Sequence, residues 1–400
     1  MGDRVESFRK IEQSYLGSSG LSIFRLCLEQ DTTRIQFLRC LFIIQGEGRG
    51  HMTQAIAMKH LLEDAGHSVC GALVGTSPRR VIPPFVIDRI GVDVVQFESP
   101  NFIADAQNRG ILIGRTILQS FKGVPKYIKS FGVFRRMIRS HRPDLVVNFY
   151  EPLFGLYEML TRRACPSVCI AHQCLSLHPD FPFPSGHRVD KFLLKSLTRI
   201  CTARSSAILG LSFTPLPTME LGRLRVVPPL LRPDVFDQEI ASGDYLLVYL
   251  MSQGYAADIT VWHEKHPDVS LHCFWDNRDA PETDRRDANL TFHRISDTLF
   301  LSMMAGCRGL VTTAGFESVC EAMYFGKPVL MIPVHGHYEQ MCNAVDGERA
   351  GAGVRSDRFD LDPLMSYLSK HRPDTDEFRK WVAGAAQRIL PILESVMPVS

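Results

Sequence analysis

Two rhythms alternate along the chain: compact apolar runs, and longer stretches in which apolar positions recur every three or four residues. The first predicts buried strands and the second amphipathic helices. Strand Phe37–Gln45 leads into helix His51–Ala65, closed by Gly66, then strand Ser68–Val74, a helical region, and strands Asp144–Asn148 and Ser167–His172. Strands that alternate with helices imply a parallel sheet. The run Val226-Val227-Pro228-Pro229-Leu230-Leu231-Arg232-Pro233 can continue neither a helix nor a central strand, which marks a domain boundary. The alternation then restarts with strand Tyr245–Met251, a helix near 256–265, strands Ser270–Trp275 and Leu290–Phe292, helix Thr298–Ala305, strand Gly309–Thr313, helix Phe316–Phe325 and strand Pro328–Pro333.

The expected architecture is α/β, with two facing Rossmann-like doubly wound domains. Residues 1–34 read as an appended arm to which no chemistry is assigned, 35–227 as the first domain, 228–243 as a linker and 244–375 as the second domain. An amphipathic stretch, Asp376–Val396 within 376–400, is long enough to pack back across the joint.

Bulk numbers narrow the function classes. A chain of 400 residues suits two cores, and 45% hydrophobic residues can fill both. Lysine and arginine total 45 against 43 acids, so net charge makes no case for nucleic acid. Eleven cysteines, an odd number without a C-x-x-C pair, read as reduced core thiols and favour the cytoplasm. No apolar run nears the ~20 residues that span a bilayer, and the N-terminus lacks a signal-peptide core. The expectation is a soluble protein, at most peripheral at the inner face of a membrane.

The strand running into Gly46-Glu47-Gly48-Arg49-Gly50-His51 and then a helix places backbone N–H groups at the carboxyl edge of the sheet, where the helix dipole favours an anion or polar ligand. It is not the dinucleotide fingerprint, because His51 stands at the third glycine position and Gly75-Thr76-Ser77 replaces the acidic ribose ligand. Arg79 and Arg80 leave an NADP reading open, whereas a Walker loop is excluded because no Lys-Ser or Lys-Thr follows. An imidazole at a cleft mouth can take a proton from a hydroxyl, and a helix N-terminus helps keep it neutral. His51 can also serve as a capping or packing residue. Glu47 and Arg49 are loop residues that could touch an acceptor.

In the second half, Thr312-Thr313-Ala314-Gly315 precedes a helix, so the amides of Gly315 to Ser318 form a cradle for phosphate. Glu321, about one turn on, can accept two hydrogen bonds from ribose hydroxyls. Glu317 competes for that role, or complements the helix dipole. Glu339, Gln340 and Asn343 cluster at the next helix start and could bind sugar hydroxyls; an ordinary solvated first turn is the alternative.

G-F-E-S-V-C-E-A at 315–322, then G-K-P at 326–328 and E-Q-x-x-N-A at 339–344, resembles the nucleotide-sugar motif of the GT-B glycosyltransferases, especially the branch of the MurG-type N-acetylglucosaminyltransferase and galactolipid synthases. The glycine turn at 46–51 resembles that branch's N-terminal loop, and the likeness covers roughly 36–395. It implies donor binding by the second domain, acceptor binding by the first and catalysis between them with inversion. By this resemblance Glu321 would hold the ribose and Gln340 the donor sugar, with Ser318 and Gly315 near the diphosphate. Ser252-Gln253-Gly254 looks like a second diphosphate turn, and His293-Arg294-Ile295 sits where the family's backbone meets the base.

Asn148-Phe149-Tyr150-Glu151 and Ala171-His172-Gln173 end neighbouring strands, so Glu151 and His172 are expected to face the cleft with His51, as base, orienting partner or acceptor contact. No acid lies between Asp105 and Asp144, while nine basic residues from Arg109 to Arg142 interleave with apolar ones. Such a surface can lie on an anionic membrane, hold a charged acceptor, or be a solvated helix face.

The resulting expectation is a hexosyltransferase that uses a UDP-sugar, with His51 as general base. No D-x-D motif stands in a suitable turn, so no cofactor or essential metal is expected. The acceptor is open among a lipid, a glycan and a small molecule. Alternatives are a UDP-N-acetylglucosamine 2-epimerase, which needs no acceptor, and a nucleotide-sugar-binding protein without turnover.

Overall fold

The computed structural model describes residues 37–76, 82–100, 124–162, 164–250, 253–277 and 279–397. The N-terminal arm, Arg79, Arg80, Ser252 and the basic positions Arg109, Arg115 and Lys122 lie outside the described residues. Leu38–Ser400 forms one compact unit.

Its first half runs β1 (Arg39–Gln45), α1 (Arg49–Asp64), β2 (Ser68–Thr76), α2 (Pro84–Ile90), β3 (Val94–Glu98), α3 (Val124–His141), β4 (Leu145–Phe149), α4 (Pro152–Leu160), β5 (Ser167–Ala171), α5 (Arg188–Cys201), β6 (Ala207–Leu211), β7 (Glu220–Leu221) and β8 (Leu224–Val227). These strands form one sheet in the order β3-β2-β1-β4-β5-β6-β8-β7, parallel except for the β7–β8 pair. The second half runs β9 (Tyr245–Leu250), α6 (Ala256–Lys265), β10 (Ser270–Trp275), β11 (Thr283–Arg285), β12 (Leu290–Arg294), α7 (Asp297–Gly306), β13 (Gly309–Thr312), α8 (Phe316–Tyr324), β14 (Val329–Met331), α9 (Tyr338–Arg349), β15 (Gly353–Arg355), α10 (Asp362–Leu368), α11 (Thr375–Ala383) and α12 (Ala385–Ser395). Its sheet has the order β11-β12-β10-β9-β13-β14-β15, with only β11–β12 antiparallel.

The central strands are buried on both faces, as parallel strands covered by helices must be. One core cluster holds Phe42, Ile44 and Phe149 of the first sheet together with Phe316, Val319 and Leu393 of later elements. The terminal segment is two helices rather than one, broken at Gly384. Trp381 Nε1 donates to the Ser212 carbonyl at 2.9 Å, and His67 Nε2 stands 3.3 Å from Glu394 Oε1. Residues late in the chain thus touch the first sheet.

Candidate active site

Among its parallel strands each sheet reverses its order once, between β1 and β4 in the first and between β9 and β13 in the second. Such reversals leave crevices beyond the carboxyl ends of the strands, which is where the loops after β1 and β13 emerge. The two loops line one cleft with a cavity volume of about 210 Å³. From the first half it takes Glu47, Gly48, Arg49, Gly50, His51, Gln54, His172 and Gln173; from the second, Gly315, Phe316, Glu317, Ser318, Glu321, Glu339, Gln340 and Asn343. Tyr249 and Phe300, with ring centroids 4.8 Å apart, add an aromatic wall from the second half of the chain.

Backbone strain sits beside this cleft. Tyr150, the residue after β4, and Ala314, between β13 and α8, both have φ 59°. A side chain in that left-handed region costs about 1–2 kcal/mol, so the surroundings must hold it there. The Tyr150 ring stacks on His51 with centroids 6.0 Å apart, and the Ala314 carbonyl accepts from Asn343 Nδ2 at 3.0 Å.

His51 is 9% exposed at the start of α1, and its Nδ1 lies 3.3 Å from Gln54 Oε1, three residues along the same helix. Burial lowers its pKa below the ordinary 6.5, although Glu339 and Gln54 pull the other way. The ring is therefore neutral at pH 7, as a base must be. Gln54 Nε2 donates to Glu317 Oε1 at 2.6 Å, which joins α1 to α8. A Cβ at Gly50 would stand 3.3 Å from Glu317 Cγ, so the glycine turn lets α8 approach closely. Burial pushes the Glu317 carboxyl up to about 8, against the lowering effect of the Gln54 hydrogen bond.

Gly315 N-caps α8, and Ser318 Oγ donates to the Gly315 carbonyl at 3.1 Å. The first-turn N–H groups of a helix have no intrahelical acceptor, so this end of α8 can receive an anion. Gln340 Oε1 accepts from Val334 N at 2.8 Å, and Asn343 holds Ala314, so two side chains expected on a sugar also brace the loops after β14 and β13. Glu339 lines the cleft near His51.

Glu321 lines the cleft but is already engaged. Arg232 Nε donates to Glu321 Oε1 at 2.7 Å and Nη2 to Oε2 at 3.4 Å, while Nη1 donates to Asp297 Oδ1. Arg232 is 4% exposed and comes from the segment expected to be a linker. A lone guanidinium between Leu231 and Pro233 was the available signal, since a buried cation demands a carboxylate. Gln54 was equally legible as the i+3 neighbour of His51.

The structure places several expected residues away from the cleft lining. Glu151 does not line the cleft: its side chain is fully buried, N-caps α4 through Leu153 N at 2.9 Å and accepts from Ser99 Oγ at 2.6 Å. A Cβ at Gly75 would overlap Glu151 Oε2, so this glycine makes room for the carboxyl behind β2. Gly46 is not a lining residue either, and its amide donates to the Gly75 carbonyl at 2.8 Å. Arg294 turns out to the β11 hairpin, pairing with Glu282 Oε1 at 3.1 Å, and its neighbours Ile295, Ser296 and Asp297 line the cleft instead. Gly254 lies in the turn before α6 and is not a lining residue. His172 does reach the cleft, but burial lowers its pKa to about 4. Its Nδ1 contacts the Leu211 carbonyl at 2.8 Å and its ring stacks on Phe316 at 4.2 Å, a packing role across the cleft floor.

Among solved structures, the kitacinnamycin glycotransferase superposes with a TM-score of 0.61 at 16% identity, covering 91% of this chain and 100% of its own. Arabidopsis thaliana UGT89C1, solved with UDP-L-rhamnose, gives 0.57 at 16% identity over 91% and 100%, and Acinetobacter baumannii MurG gives 0.52 at 15% over 89% and 99%. Similarity at this level shows the fold, which is GT-B. No curated protein sequence matches the chain. The model of glycosyl transferase family 1 matches residues 38–371, a span that contains both switch-point loops and every cleft residue named above. The chain belongs to that family and is a glycosyltransferase.

Proposed function

We propose that the enzyme moves a sugar from a nucleotide-sugar, a UDP-sugar by the motif at 315–344, to an acceptor hydroxyl with inversion at the anomeric carbon. One observation carries this reading: a buried, neutral His51 and the N-terminal turn of α8 line the same cleft, linked through Gln54 and Glu317. In the proposed reaction His51 takes the acceptor proton as the oxygen attacks the anomeric carbon. The bond to the diphosphate breaks on the opposite side, and the first-turn N–H groups of α8 meet the charge that develops on the leaving phosphate. Backbone dipoles then do what a cation does in other transferases, so no metal is assigned. UGT89C1, of the same fold, has been solved with UDP-L-rhamnose, which supports a nucleotide-sugar in this cleft. Glu321 meets the ribose in this reading beside its bonds to Arg232, since each carboxylate oxygen retains a second lone pair; burial raises its pKa and Arg232 opposes the rise.

The acceptor side points towards a lipid surface. Helices α3, α4 and α5 lie side by side. They expose Leu156, Met159, Leu160, Val189, Phe192 and Leu193 beside Lys126, Lys129, Arg135, Arg136, Arg139 and Arg199. This face suits the anionic surface of a membrane, with the cytoplasmic side as its place of action.

The test is a turnover screen of UDP-sugars with lipid and soluble acceptors. His51→Ala is expected to lower kcat by about 10²–10⁴-fold while leaving donor binding within about threefold. Glu321→Ala is expected to weaken donor binding, and a chelator to leave the rate unchanged. The acid limb of kcat/KM should fall below pH 6.5, because burial lowers His51. Product formed from donor alone, or His51→Ala at the wild-type rate, would sink this reading.

A further inference from the structure

The cleft contains a hydrogen-bonded series that the transfer reaction as written does not use. His51 Nδ1 faces Gln54 Oε1 at 3.3 Å, and Gln54 Nε2 faces Glu317 Oε1 at 2.6 Å. Gln54 is 2% exposed and Glu317 8%, so solvent is not available to take over either contact. A neutral imidazole has one N–H and one lone pair, and its neighbours decide which nitrogen has which. An amide side chain has a donor end and an acceptor end, so it passes polarity from one neighbour to the next.

We propose that Gln54 is a positioning residue whose amide is oriented by Glu317 across the cleft, so that the N–H of His51 is held on Nδ1 and the lone pair that removes the acceptor proton on Nε2. The assignment of the two amide ends follows from chemistry. An ionised Glu317 can only accept, and at 2.6 Å it would repel the carbonyl end of Gln54, so the NH₂ must face it. The polarity also survives protonation of Glu317, provided the proton sits on Oε2. That oxygen has no hydrogen-bond partner among the described residues, whereas Oε1 is occupied by Gln54. Gln54 Oε1 is then left to accept from His51 Nδ1–H.

The arrangement has a functional consequence. Glu317 belongs to α8, the helix that would hold the donor phosphate, while His51 and Gln54 belong to α1 on the acceptor side. The base is set correctly only while α8 is docked against the glycine turn at Gly50. Loosening the halves frees the amide to rotate and the imidazole to exchange tautomers. Catalytic readiness is thereby coupled to closure of the cleft. This inference rests on the transferase reading for its rate effects, but its structural core can be measured without turnover.

The experiment is nitrogen-15 NMR of imidazole groups in the full chain without ligand, with the His51 signal identified by its loss in His51→Ala. Wild type is expected to show His51 in the Nδ1–H tautomer, and Gln54→Leu to shift it towards Nε2–H. In turnover, Gln54→Leu and Glu317→Leu should lower kcat by about 10²-fold with donor KM within about threefold, the pattern of a misoriented base rather than a damaged donor site. Glu317→Gln should restore most of what Glu317→Leu loses, because its carbonyl can still accept from Gln54. A wild-type Nε2–H tautomer, or an unchanged tautomer in Gln54→Leu, overturns the proposal. So does a Gln54→Leu enzyme with normal kcat when His51→Ala is inactive. A wild type without transfer overturns the transferase reading alone, and the tautomer measurement then decides the relay.

Discussion

Ser99 Oγ and Leu153 N both donate to Oε1 of Glu151, and Oε2 has no hydrogen-bond partner among the described residues. Burial therefore dominates, and it pushes this carboxyl up to about 7 from an ordinary 4.5 despite the two hydrogen bonds that favour its ionised form. Between those values the folded protein keeps a proton that the unfolded chain has lost. Stability therefore falls as pH rises through this window, by up to about 3 kcal/mol. Glu151→Gln removes the titration while its carbonyl can still accept both hydrogen bonds. Urea unfolding should find the variant about 1–3 kcal/mol more stable than wild type at pH 8, with the difference shrinking towards pH 4.5. Glu317 titrates in both proteins and cancels from the comparison. Activity should stay within about threefold, because the side chain does not reach the cleft; a loss as large as that of His51→Ala would return Glu151 to the catalytic set. The end of β4 made Glu151 a fair expectation, but position along a strand does not say which face the next residue takes. Here Tyr150, at φ 59°, turns the chain so that its own ring meets His51 and the carboxyl goes behind β2.

Among elements, α8 carries the most. Its first residue, Phe316, lies against His172 at 4.2 Å and Phe213 at 4.6 Å, both from the first half of the chain. The ring is 7% exposed, so this contact fastens a helix of the second half to the first half of the chain. Phe316→Ala should cost about 3–4 kcal/mol by equilibrium unfolding, and should also weaken turnover through loss of the α8–α1 register. Phe316→Leu, which keeps most of the apolar volume, should recover most of the stability; equal losses in the two variants would mean that the stacking matters and the burial does not. Strands and helices of strong periodicity were legible: helix 256–265 and strand Ser270–Trp275 occur as expected. The strand β8 was not, because the prolines after Val227 mask the strand character of Val226 and Val227, whereas the ladder to β6 ends just before them. The terminal helix was read as one piece because its apolar period runs through Gly384, which breaks it.

On the scale of the whole molecule, Gly315, Ser318 and Glu321 were legible as neighbours because short-range spacing places them within the first two turns of α8. The long-range partners were not, since nothing local brings Arg232 to Glu321 or Gln54 to Glu317. The surface formed by α3, α4 and α5 is of that long-range kind too. Its exposed apolar residues, Ile128, Leu160 and Phe192 among them, are scattered over three helices that only the packed layer brings side by side. On this layer the acids offer little opposition: Glu158 is buried and accepts from Ser167 Oγ at 2.9 Å, and Asp190 lies 3.2 Å from His187 Nδ1. Among the described residues, no helix is long and apolar enough to cross a membrane, so attachment through this face would be interfacial. Binding should then need both ingredients. Vesicles containing phosphatidylglycerol are expected to sediment the protein at low salt, and purely zwitterionic vesicles to leave it in solution. Raising the salt should release it, because surface attraction decays within a Debye length of about 10 Å at 0.1 M. Phe192→Ser with Leu160→Ser should weaken binding even at low salt, since each buried apolar side chain contributes about 1.5–3 kcal/mol. Neither substitution touches the cleft, so turnover on a soluble acceptor should be unchanged. Sedimentation with zwitterionic and anionic vesicles alike, or with neither, would remove the membrane from the acceptor side and leave these helices as a solvated face.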